Sequence, residues 1–90
     1  LIMNPNYNKI VSLATEGKYE DIKDVRHELL IERMKMDKFF SKYLDKVGNK
    51  MDPNTPNTPI WKLYRTKMRE YGELDQTIKA ADYYIKKSYV

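Results

Sequence analysis

The sequence predicts an all-α fold: an antiparallel αα-hairpin of two long helices, preceded by a short N-terminal helix or arm and associating into a helical bundle. Three observations predict it. Ile22, Val25, Leu29, Met36, Phe39 and Tyr43 recur at alternating three- and four-residue steps, with Glu32 in the one polar seam position. Ile60, Tyr64, Tyr71, Leu74, Ile78, Ala81 and Ile85 do the same, with Lys67 in the odd place. Between the two sets stands a break carrying Pro53, Pro56 and Pro59. Such steps gather each set on one side of a helix, and a 3.5-residue period favours helices packed lengthwise, as in a coiled coil.

The first 17 residues form an arm or short helix. Asn4-Pro5 reads as an N-cap followed by proline in the first turn, where a missing N–H costs nothing. Tyr7, Ile10, Val11 and Ala14 then allow a short helix ending near Gly17. So few turns have little stability alone, and an arm packed on a neighbouring chain is the other reading. Leu1 and Ile2 are assigned no structural role.

Residues 18–90 form the hairpin domain. From Lys18 to Val47 no proline or glycine interrupts the pattern. Acids come early (Glu20, Asp21, Asp24, Glu28) and lysines late (Lys35, Lys38, Lys42, Lys46), the order that complements a helix dipole. Gly48-Asn49 supplies a C-cap signal. The connector, residues 48–59, holds a tandem Pro-Asn-Thr that reads as a stiff link. Thr58 and Pro59 fit the N-cap and N1 of the second long helix, which runs from Ile60 to about Tyr89. Gly72 is its weak point, placed for a bend or for close approach of another chain, and it reads equally well as a tolerated surface glycine.

Composition narrows the function. Ninety residues, 41% hydrophobic and 33% charged, supply one or two apolar seams without a deep core, so a lone hairpin is under-buried. Cysteine is absent and His27 is the only histidine, so no thiolate or histidine-rich metal site can form. No phosphate loop, nucleophile elbow or catalytic triad can be assembled, and the expectation is a non-enzyme with no cofactor, no metal and no catalytic residue. No apolar run is long enough to span a membrane, and a cytoplasmic location is expected.

Two surfaces stand out. Leu30, Ile31 and Met34 widen the apolar arc of the first long helix beyond what one partner helix covers, and Tyr83 and Tyr84 lie on the far sides of the second. These five residues are the candidate protein interface, and an antiparallel dimer of hairpins, making a four-helix bundle, would bury both arcs. Tyr43, Tyr64, Tyr71 and Tyr89 fall on or near the seams, where a ring can be buried with its hydroxyl at the edge.

The second surface is electrostatic. Closing the hairpin collects nine basic and four acidic residues at the connector end, a net of +5, and leaves the opposite end at −2. Lys42, Lys46, Lys62, Arg65 and Arg69 are candidate phosphate contacts there, with Trp61 available to stack on a base. A solvated, dipole-matched helix end is the simpler account, since no nucleic-acid-binding motif is present.

The stretch Asp52–Ile60, with Trp61-Lys62-Leu63-Tyr64 and the closing Ala81-Asp82-Tyr83-Tyr84-Ile85-Lys86-Lys87, resembles small helical proteins encoded by tailed phages of marine cyanobacteria. The likeness lies in short length, in richness in Lys, Asn and Tyr, and in a helix opening on Thr-Pro-x-Trp. It implies a phage accessory protein acting in the cytoplasm of a bacterial host, and it carries over no functional residues. The reading that results is a helical protein-interaction or oligomerisation module, a homodimer with an unknown protein partner; the alternative is a nucleic-acid-binding protein of low specificity.

Overall fold

The structure, a computed structural model, describes residues 4–47 and 59–89, with side chains from 4–43 and 62–89. Among the described residues it is all helix: α1 (Pro5–Thr15), α2 (Tyr19–Val47) and α3 (Pro59–Lys87). The Gly48-Asn49 cap signal, the Pro-Asn-Thr tandem and Thr58 lie outside the described residues, as do the side chains of Lys46, Ile60 and Trp61.

Local chemistry sets the first two helices. Asn4 caps α1, its Oδ1 accepting from the Asn6 N–H at 2.9 Å, and Pro5 takes the first helical position. The helix stops at Gly17, whose φ of +73° is a left-handed conformation that side chains with a Cβ resist. The Gly17 N–H bonds the Ala14 carbonyl at 3.1 Å and the Lys18 N–H bonds that of Leu13 at 2.9 Å. This paired closure satisfies two of the last carbonyls of α1 and turns the chain directly into α2.

The long helices run antiparallel. Arg26 pairs with Asp82, Arg33 with Asp75, and Phe40 packs edge-on against Tyr71 and Tyr64, so α3 numbers fall as α2 numbers rise. α1 packs against both and makes one half of the hairpin a three-helix structure. There Ile10, Ile22, Val25, Leu29, Leu74, Ile78 and Ala81 form a continuous buried cluster, with Leu13 and Ala14 of α1 against it. Asn4 and Pro5 share a recess with Glu32, Met36, Arg69, Glu70, Glu73 and Leu74, which marks how far along the hairpin α1 reaches. Beyond that level the seam is aromatic. Tyr43 stacks on Tyr64 at 4.8 Å between centroids, and Phe39 touches Phe40 and Tyr43.

Two expectations about the seam need correction, those for Glu32 and Tyr89. Glu32 is exposed rather than in the seam; Arg33 takes the seam flank, its Nη1 donating to Asp75 Oδ1 at 3.0 Å. The core repeats every seven residues at 22, 29, 36 and 43. From each of these a three-residue step (25, 32, 39) leads towards α1, and a four-residue step (26, 33, 40) leads to the other flank of α3. Glu32 points towards α1's side near the point where α1 begins, so water reaches it. Tyr89 lies past the end of α3 and is largely exposed, with the Lys23 ammonium 5.3 Å from its ring centre. Lys67, in the odd place, is half-buried: its Nζ sits 5.9 Å from the Phe39 ring centre and 3.4 Å from Glu70 Oε2.

Candidate functional site

Helix geometry assigns each exposed side chain to a face, because residues turn by about 100° per position and the seam contacts fix the zero. Val25, Asp21, Asp24 and Glu28 line a recess with Lys9 and Leu13, so α1 occupies one side of the hairpin. The ion pairs Arg26–Asp82 and Arg33–Asp75 run along the opposite side, with Lys79 Nζ 3.3 Å from Asp75 Oδ2.

The five candidate interface residues divide between these surroundings. Leu30 and Tyr84 are half-buried against the core cluster, whereas Ile31, Met34 and Tyr83 are 43%, 60% and 59% exposed. Leu30, Met34 and Tyr83 lie towards the side away from α1, and Ile31 lies on the outer edge of α2. Tyr84 turns to the α1 side, although its ring still meets that of Tyr83 edge-on at 5.3 Å. Met68, half exposed on α3, joins the side away from α1; neither the apolar stripe nor the tyrosine count pointed to it.

The basic residues divide differently. Lys62, Arg65 and Arg69 stand at i, i+3 and i+7 on the outer face of α3 and with Thr66 line a shallow recess; Arg69 also reaches the recess that holds Asn4, Glu32, Met36 and Glu73. Lys42 belongs instead to a matching series on the outward face of α2, Lys35, Lys38 and Lys42, again at i, i+3 and i+7. The two series lie back to back across the hairpin rather than converging on one tip. All six side chains are exposed, and none makes an ion pair or hydrogen bond to another described residue. Lys46 and Trp61 cannot be assigned to either face, their side chains lying outside the described residues.

The two described acids of this half are engaged at the seam. Glu70 pairs with Lys67, and Asp37 faces the Tyr71 hydroxyl across the seam. Hydrogen bonding to that carboxylate, with some loss of hydration, pushes the Tyr71 hydroxyl above the usual tyrosine range. At the other end, hydrogen bonding to Tyr89 and then to Glu20 raises Lys23 and keeps it charged.

Among the described residues no three His, Cys, Asp or Glu side chains gather closely enough to hold a metal ion, and His27 is exposed. No described helix is long and apolar enough to cross a membrane. No protein-family model, no curated protein and no solved structure matches the chain.

Proposed function

We propose that the protein is a non-enzymatic helical interaction module that self-associates as a dimer through the side of the hairpin turned away from α1. The observation that carries this reading is the exposure of Met34, at 60%, on the side of the hairpin where Gly72 of α3 leaves its backbone open. Arg33–Asp75 and Asp37–Tyr71 bracket both residues within about one helical turn. A glycine inside a helix costs about 1 kcal/mol relative to alanine. Nothing within this chain requires it, since a Cβ built on Gly72 meets no atom within 4 Å. A bare backbone facing open space, on the same side of the hairpin as half-buried Leu30 and exposed Met34 and Met68, suits close approach of another helix. A second copy is the fitting occupant. Acid and base alternate along this side, so a two-fold axis can set Arg26, Arg33 and Lys79 of one chain against Asp75 and Asp82 of the other. The phage resemblance would place such a dimer among accessory proteins in the host cytoplasm.

Sedimentation equilibrium at tens of micromolar tests the reading: a dimer is expected, and Met34→Lys is expected to be monomeric with unchanged helicity. A monomeric parent chain under those conditions overturns it. Gly72→Ala sharpens the test because the two sides of the reading pull in opposite directions. In the Met34→Lys background it should raise stability by about 1 kcal/mol, read from denaturant unfolding. In the parent chain it should weaken self-association. An unchanged dimer affinity would mean that the interface lies elsewhere.

A further inference from the structure

From the level where α1 begins towards the connector, the described residues carry an excess of exposed basic side chains that self-association through the Met34 side does not use. The two cation series, Lys35–Lys38–Lys42 and Lys62–Arg65–Arg69, are each straight stripes along a helix, spanning about 10 Å by helix rise. Both described acids of this half are held at the seam, by Lys67 and Tyr71, so neither pairs with a stripe cation. Six exposed cations at this density repel one another; among the described residues only Arg69 shares a recess with acids, Glu32, Glu70 and Glu73, and none of the six forms an ion pair.

We infer that these stripes are two back-to-back contact surfaces for nucleic-acid backbone, by which one hairpin bridges two strands or duplexes without reading sequence. Three features favour this ligand. First, a linear, evenly charged polymer matches a linear, evenly spaced stripe, and arginines at two of the three α3 positions can each grip a phosphate with two N–H groups. Second, the stripes face opposite ways across the hairpin. A flat anionic membrane can meet only one of them at a time, whereas separate nucleic-acid segments can meet both. Third, among the described residues the recess along the α3 stripe is lined only by its three cations and Thr66, with no aromatic or aliphatic side chain between them. An acidic protein partner would be expected to find a buried anchor there, since such anchors dominate protein interfaces. No element presents base-reading side chains at a groove-entering helix end, so phosphate contacts set affinity and specificity is low.

The test uses the full chain with Met34→Lys, so that bridging cannot arise from dimerisation. Anisotropy with a short labelled duplex should show binding that falls about 40-fold between about 50 and 200 mM salt, as expected for about three phosphates neutralised per face. Charge reversal of either stripe (Lys62→Glu, Arg65→Glu, Arg69→Glu, or Lys35→Glu, Lys38→Glu, Lys42→Glu) should leave one functional face. Such a variant still binds, but no longer brings a donor-labelled and an acceptor-labelled duplex together. Reversing both should abolish binding, and the corresponding glutamine variants, with circular dichroism, separate lost charge from lost fold. Absence of binding at low salt overturns the inference. So does equal affinity for poly-glutamate, which would indicate an acidic protein, or for anionic vesicles, which would indicate a membrane. Loss of all binding on reversal of a single stripe would overturn the two-sided arrangement. None of these outcomes bears on the Met34 interface, which sedimentation tests separately.

Discussion

Leu29→Asp and Ile78→Asp are each expected to abolish folding. Leu29 is fully buried and Ile78 nearly so, in the cluster where α1, α2 and α3 meet. Removing the leucine side chain alone costs about 2–5 kcal/mol at a packed site. An aspartate there then has no buried partner: Arg26 and Arg33, the nearest cations by helical register, already serve Asp82 and Asp75. Leaving a carboxyl unpaired or forcing it to protonate adds a further few kcal/mol. The total approaches or exceeds the stability of a domain this size, about 5–13 kcal/mol by chain length. Far-ultraviolet circular dichroism should show lost helicity at ambient temperature. Native-like melting in both variants would mean that the seam has been misplaced.

Ile10→Ala should be the costliest truncation outside the two long helices, destabilising the protein by about 2–4 kcal/mol. The expectation rests on complete burial of a residue from an eleven-residue helix. A helix this short is unstable alone, so its order derives from burying Ile10, Leu13 and Ala14 on the hairpin. Urea unfolding measures the loss. Val11→Ala, one position round the same helix and only half-buried, is the control and should cost much less. Equal effects from the two would indicate that α1 contributes through helix content rather than packing.

The seven-residue frame of α2 was legible because Ile22, Leu29, Met36 and Tyr43 are unambiguous apolar markers. Which step lies beside each marker was not. Glu32 and Arg33 are both charged and Phe39 and Phe40 both aromatic, so periodicity alone could not choose between three- and four-residue steps. The choice depends on where α1 lies and on the acid that α3 presents, both matters of tertiary arrangement. Thr77 escaped notice for a related reason. It is a polar letter in the pattern, yet it is fully buried on the α1 side, and its hydroxyl bonds the Glu73 carbonyl at 2.8 Å, which removes most of the penalty for burial. The net charge of the connector half was readable by counting. Its division into two opposed stripes required knowing which residues face the seam. The excess apolar arc at Ile31 and Met34 was visible in sequence because its residues exceed what one stripe can bury; that Gly72 opens on the same side of the hairpin as Met34 depended on the cross-seam register.

The point at which α1 begins has a consequence for the order in which the molecule opens. On one side of the Glu32–Met36 level, three helices and an aliphatic core protect the backbone; on the other, two helices share a thin aromatic seam. Amide groups of 22–30 and 74–81 should exchange with solvent only through global unfolding. Those of 38–43 and 63–70 should exchange through a cheaper, sub-global separation of the helix pair. A hydrogen-exchange gradient of this kind would make the cation-bearing half a cooperative unit of its own, able to splay while the three-helix half stays closed. Uniform protection along α2 and α3 would instead mean that the hairpin opens as one piece.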